Sequence, residues 1–126
     1  MKLMMMFGMM YSQGDIVIVP LPFTDLTGRK KRPVIVLSNH KYNEISDDML
    51  VAAVTSNLQK KSYTVKITND DLQEGTLAVD SCIRADKIYT ISQDAALKQF
   101  GKVNDGIITK IKYEINKLMD EIKSHE

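Results

Sequence analysis

Hydrophobic positions recur with two periods along this chain, and the change between them separates a strand-forming body from a helical end. Residues 15–21 (DIVIVPL) are rich in valine and isoleucine, and Pro20, which has no N–H to give a ladder, predicts a bulge or a sheet edge there. Residues 33–38 (PVIVLS) are apolar on both faces and predict a central strand, and residues 49–55 (MLVAAVT) predict a third, buried one. Between these, residues 22–31 read as a polar loop with turn residues Asp25, Thr27 and Gly28. Residues 39–48 read as an irregular polar stretch and residues 56–62 as a polar connection. In residues 63–68, Tyr63, Val65 and Ile67 alternate with Thr64, Lys66 and Thr68, the pattern of a half-exposed strand. Residues 69–72 predict one helical turn that ends near Gly75. Residues 76–85 and 87–91 predict the last strands, joined by a bend. Ser92 is placed to cap a short helix through Phe100, with Gly101 at its C-terminal cap.

The period then lengthens. Asn104 or Asp105 supplies an N-cap, and Ile107, Ile108, Ile111, Ile115, Leu118, Met119 and Ile122 fall on one helical stripe. Lys110, Lys112, Glu114, Lys117, Asp120 and Glu121 occupy the other side. Several short strands followed by one amphipathic helix predict a mainly β fold, a small curled barrel or sandwich with a helix packed over it. No repeat or linker divides residues 14–126, which read as one domain. Residues 1–13 form a methionine-rich apolar leader that resembles a secretion signal. However, Tyr11-Ser12-Gln13 offers no small-residue cleavage site, and the run is too short to cross a bilayer. The leader also fits a translation start at Met9 or Met10, and the expectation is a frayed or partner-covered tail.

Composition narrows the chemistry. The net charge of +1 is not the footprint of a protein that holds nucleic acid through bulk electrostatics, so any such site must be a local patch. Cys82 alone excludes an intramolecular disulfide and fits a reducing cytoplasm. With only His40 and His125 beside it, soft ligands are too few for zinc, and neither a metal nor another cofactor is expected.

Three segments carry candidate chemistry. Four consecutive cations end at Arg32, and Pro33 restricts the Arg32 backbone to extended conformations where the loop enters a strand. An arginine held there could clamp a phosphate through two parallel hydrogen bonds; equally, the cations could simply solvate a loop. Thr55, Ser56 and Asn57 offer hydroxyl and amide groups at a strand end, or ordinary turn chemistry. Residues 80–87 are dense in charge for a partly buried strand, consistent with an Arg84–Asp86 or Arg84–Asp80 pair or with a binding groove.

In series, these segments resemble the MazF/PemK/Kid toxin family. The resemblance rests on Gly14-Asp15-Ile16-Val17, on Arg32-Pro33-Val34-Ile35-Val36-Leu37-Ser38 and on an apolar strand ending Val54-Thr55-Ser56. It continues through SCIRADKIYTI from Ser81 to Ile91, Phe100-Gly101-Lys102-Val103 and the final helix. It implies an SH3-like/CcdB-like β-barrel with a C-terminal amphipathic helix. It also implies a cytoplasmic homodimeric toxin of a type II toxin–antitoxin system, with no membrane association and a cognate antitoxin. The implied activity is sequence-specific, metal-independent cleavage of single-stranded RNA to 2′,3′-cyclic phosphate and 5′-hydroxyl ends. The family's two catalytic residues fall on Arg32 and Thr55. Lys30, Lys31, Ser56, Asn57, Asp80, Ser81 and Arg84 are the residues expected to line the RNA groove.

The chemistry suits this reading, because RNA carries its own nucleophile and the protein need only align it and stabilise charge on phosphorus oxygens. No general base is evident. The arginine that some members carry two residues before the aspartate of the penultimate strand is replaced by Ala78, and either Asp80 or Ser81 takes that aspartate's place. Residues 27–31 replace the usual acidic or glutamine-rich loop, which predicts a different cut-site preference, and His40 reads as a loop residue. Two alternatives stand beside the nuclease. One is a toxin of the same superfamily that poisons DNA gyrase, and the other is a binding module that has lost catalysis.

Overall fold

The computed structural model describes residues 10–21 and 30–121. Residues 1–9 of the leader, the turn residues Asp25, Thr27 and Gly28 with Arg29, and Ile122 and His125 lie outside the described residues. The β-branched runs form strands at Asp15–Leu21 (β1), Lys30–Val36 (β2) and Asp48–Thr55 (β3). A short helix, His40–Ile45 (α1), joins the last two. Thr64–Ile67 (β4), Leu72–Gly75 (β5), Ser81–Ser92 (β6), Lys98–Val103 (β7) and the helix Asp105–Met119 (α2) follow. The strands make one antiparallel seven-stranded sheet in the order β4-β6-β3-β2-β1-β7-β5, curled into a half barrel. The mainly β architecture with a C-terminal helix is the one the pattern predicts.

The central strands bury both faces, as their unbroken apolar runs require. Ile16, Ile35, Ala52 and Val54 point to one side, where Ile67, Ile83 and the α2 residues Ile107, Ile108 and Ile111 complete a core. Val17, Val19, Val34, Val36, Met49 and Val51 point to the other and pack with Tyr11, Tyr89 and Ile91. Helix α2 lies against β4 and β6. Asn104 caps it by accepting a hydrogen bond from the Ile107 N–H at 3.2 Å. The apolar stripe runs past the core, since Leu118 and Met119 at the helix end are 42% and 77% exposed.

Several local expectations are corrected. Strand β2 already includes Lys30 and Lys31, which the sequence placed in the loop. The stretch 39–48, expected to be irregular, contains α1, because Asn39 caps the helix and a buried polar hub holds it. In that hub the Gln93 side-chain amide donates to the carbonyls of Asn43 at 2.8 Å and Ser46 at 3.0 Å and accepts from the Tyr11 N–H at 3.2 Å. Asn43 in turn donates to the Tyr11 carbonyl at 2.9 Å. Packing therefore reaches Tyr11, ahead of the boundary expected at residue 14. The turn at Asn69–Asp71 is present as one 3-10 turn, but it leads into β5, a strand not anticipated. The strand expected from residue 76 begins at Ser81 and continues to Ser92, and the bend expected between residues 85 and 87 is a register break against β3. The helix expected from Ser92 to Phe100 is a single 3-10 turn at Gln93–Ala95, and Gly101 lies inside β7 rather than at a helix cap.

Candidate functional site

Register brings the two leading candidates together. Val34 of β2 pairs with Ala53 of β3, and opposed residues in an antiparallel ladder share a face. Continuing that register to the strand ends sets Arg32 level with Thr55. Arg32 pairs across β1 with the fully buried Val19, while across β6 Thr55 pairs with Cys82 and Ala53 with Arg84. Arg32, Thr55 and Arg84 thus project from one face, at the end of the apolar cluster of Val17, Val19, Val34 and Val36.

Two adjoining cavities open there. Arg32, Thr55, Arg84 and Lys87 line one of about 140 Å³, floored by Ala53 and Val54. Arg32 and Thr55 also border a second of about 250 Å³, whose other walls include Pro33, Ser56, Val79, Ser81 and Phe100. One cavity is cationic and the other apolar with hydroxyl groups, and the guanidinium and the threonine stand where they meet.

Local structure sets the polar groups. The Thr55 hydroxyl oxygen accepts the Asn57 N–H at 3.1 Å, which leaves the hydroxyl proton to donate outward. The Asn57 side-chain oxygen accepts from the Gln59 N–H at 3.0 Å, so Asn57 serves the turn. Ser81 donates to the Val79 carbonyl at 3.1 Å and still borders the apolar cavity with Ser56.

Lys87 reaches the cationic wall because β6 breaks register against β3. Ala52 pairs with Ile88 while the next residue, Ala53, pairs with Arg84, so Ala85, Asp86 and Lys87 bulge out of the ladder. Within the bulge Asp86 grips Arg84 through two bonds of 2.8 Å, from Nε and Nη2, and Lys60 approaches the same carboxylate at 3.7 Å. The Arg84 hydrogen bond holds the Asp86 carboxyl below the usual carboxylate range, and the same bond pushes the Arg84 guanidinium above its ordinary value.

The remaining sequence candidates lie elsewhere. Lys30 and Lys31 are exposed at the start of β2, and neither lines the two cavities. Asp80 is exposed and pairs with Lys66 at 3.9 Å, outside the cavity walls. The Arg84–Asp86 pair, one of the readings of this charged segment, is present, whereas sequence reasoning did not select Lys87, Val79 or Phe100. The charge density of residues 80–87 was the available signal for Lys87; Val79 and Phe100 had none, since only tertiary packing places them here.

Comparison with known proteins agrees with this fold. No curated protein matches the chain by sequence. Among solved structures, a MazE–MazF complex from Deinococcus radiodurans is 21% identical with a TM-score of 0.71, covering 88% of this chain and 97% of the other. The Mycobacterium tuberculosis toxin MazF-mt6 is 20% identical at a TM-score of 0.69, covering 86% and 99%. An endoribonuclease in complex with its cognate antitoxin, from a mycobacterial species, is 16% identical at 0.67, covering 89% and 99%. At these identities the likeness establishes the fold. The sequence profile of the PemK-like, MazF-like toxins of type II toxin–antitoxin systems matches residues 12–119, and this chain belongs to that family.

Proposed function

We propose that the chain is a metal-independent endoribonuclease that cuts single-stranded RNA, with Arg32 and Thr55 as its catalytic residues. The observation that carries this reading is that both side chains line one cleft, between a cationic and an apolar cavity. A phosphodiester seated there meets a guanidinium and a hydroxyl donor together. The RNA 2′-hydroxyl attacks phosphorus, the bond to the 5′-oxygen breaks, and the products are a 2′,3′-cyclic phosphate and a 5′-hydroxyl. Arg32 stabilises charge on the phosphorane oxygens, and Thr55 donates to a non-bridging oxygen. Arg32 acts electrostatically, its planar guanidinium offering two parallel donors to the developing charge. Pro33, Val79 and Phe100 offer apolar surface to an unstacked base, which favours single strands over duplex.

The protein acts in the cytoplasm as a homodimer and is neutralised by a cognate antitoxin. Exposed apolar side chains support partner contacts, with Ile45 70%, Val79 57% and Leu97 54% accessible. Among the described residues no helix is long and apolar enough to cross a membrane.

The test is incubation of purified protein with single-stranded RNA in EDTA, followed by mapping of the product 5′ ends. Cleavage is expected, with Arg32→Ala and Thr55→Ala each slowing it by about a hundredfold or more. Full activity in both variants would overturn the site. Growth arrest with intact RNA and broken DNA would replace the reading with gyrase poisoning.

A further inference from the structure

Outside the cleft, one aromatic residue holds a backbone conformation that its own bulk disfavours. Tyr63 ends the turn before β4 with a φ of 58°, in the left-handed region where a bulky residue is an outlier. Its carbonyl accepts the Ala85 N–H at 3.0 Å, and that bond needs the conformation but not the ring. Glycine would deliver the same carbonyl without strain. What the strain secures is the place of the ring. Lys117 of α2 stands over Tyr63 at 6.0 Å from the ring centre and over Tyr113 at 5.2 Å, and Glu114 holds the same ammonium at 3.2 Å. Two rings and one cation thus form an array along the open side of α2, where Tyr113 is 62% exposed.

Two hollows open on this array. One of about 470 Å³ lies between β4 and α2 and includes Lys66, Lys110 and Tyr113; the other, of about 460 Å³, is formed by Ser62, Tyr63, Lys117 and Asp120. None of these residues lines either cavity of the cleft, yet the array is close to it along the chain. Lys60 approaches Asp86 beside the cationic cavity at 3.7 Å, and Tyr63 follows within a span of at most about 11 Å. The core of a protein–protein contact is built on apolar surface, whereas the only aliphatic side chain lining these hollows, Val65, is buried. Exposed rings beside lysines are instead the make-up of a platform for unpaired bases, because every base has a π-face to stack.

We propose that Tyr63 and Tyr113 form a stacking platform outside the cleft for a base that flanks the cut site of the RNA. This inference rests on the nuclease reading and extends the path of the same substrate beyond the scissile phosphate. The experiment uses the full chain and two single-stranded RNAs, each with a 2′-deoxy sugar at the mapped cut site so that binding is read without cleavage. The minimal RNA covers only the cut motif, and the longer one continues past it on both sides. Wild type is expected to bind the longer RNA about tenfold more tightly, the scale of one base–aromatic stack. Tyr113→Ala should abolish this preference, and Tyr113→Phe, which keeps the ring, should retain it. Replacing the flanking bases one at a time by abasic sites should reveal a position that removes the preference in wild type and has no effect in Tyr113→Ala. Tyr63→Gly, which keeps the turn and deletes the ring, should lose the preference as well. A purely structural ring would instead lower the thermal midpoint of Tyr63→Gly and leave the preference at its wild-type value, and that result overturns the proposal. So does a wild-type preference that survives in Tyr113→Ala, including the case in which Tyr113→Ala changes from dimer to monomer in sedimentation, which would assign the ring to a contact between copies. Each of these outcomes leaves the nuclease reading standing, as does a wild type that binds both RNAs equally, which also removes the platform. Failure of wild type to bind either RNA removes both.

Discussion

At Gly75 the backbone φ is +83°, and a Cβ there would collide with the Phe100 carbonyl oxygen and the Gly101 Cα of the neighbouring strand β7. Gly75→Ala is therefore expected to cost about 1–3 kcal/mol and to lower the thermal midpoint by several degrees, measured by calorimetry. Because Phe100 borders the apolar cavity, the same variant should disturb RNA affinity more than an exposed substitution such as Asp70→Ala. The Asp86–Arg84 pair makes a second expectation at this scale. Its carboxyl pKa is lowered on folding, so its stabilisation is complete above the ordinary carboxylate range and is lost as pH falls through the depressed value. Arg84, whose value is raised, is charged throughout that window. The gap in urea midpoint between wild type and Asp86→Asn should be present at pH 7 and close towards pH 2. Individual residues were legible where a motif isolates them, as Arg32-Pro33 and the strand-end Thr55 do. Lys87 was not, because its place on the cleft depends on a register break that no single position announces.

Among the elements, α2 is held to the sheet by Ile107, Ile108 and Ile111, all buried. Ile111→Ala should destabilise the protein by about 2–5 kcal/mol, read from chemical unfolding, while Tyr113→Ala on the exposed side should change little. Strands β1 and β3 and helix α2 were readable from periodicity because each buries a full face over several repeats. The short elements were not. Helix α1 has only six residues and owes its existence to Asn39 and to the Gln93 hub, whose partners come from the chain before β1 and after β6. Residues 92–101 carried a helix cap and a terminal glycine, yet β1 offers an unpaired edge on that side, and ladder bonds from Asp15–Ile18 draw residues 98–102 into a strand. Gly101 serves there as a close-approach residue, with the Glu74 carbonyl oxygen 3.2 Å from where a Cβ would stand.

For the molecule as a whole, a formal charge of +1 leaves attraction for RNA to the few cations at the cleft. If Arg32, Arg84 and Lys87 each neutralise one phosphate, the logarithm of the binding constant should fall with the logarithm of salt with a slope of about −2. A titration with the 2′-deoxy RNA measures this, and a slope twice as steep would move the binding surface to a broader patch. The assembly is expected to sediment as a dimer at micromolar concentration, with Ile45→Lys a direct probe of whether that exposed side chain lies in the contact.

The register break of β6 against β3 at residues 85–87 has a final implication for how such a protein can diversify. On either side of them the strand is locked to β3, by Ile83 and Arg84 below and by Ile88 and Tyr89 above. A gain or loss of one residue at 86–87 can leave the paired segments with their partners, whereas Ala85 is fully buried and its N–H bonds the Tyr63 carbonyl. The geometry of the charged wall can therefore change by single-codon insertion or deletion next to the hydrophobic interior rather than within it, a route to new nucleotide preferences that draws less on the stability threshold most core changes must meet.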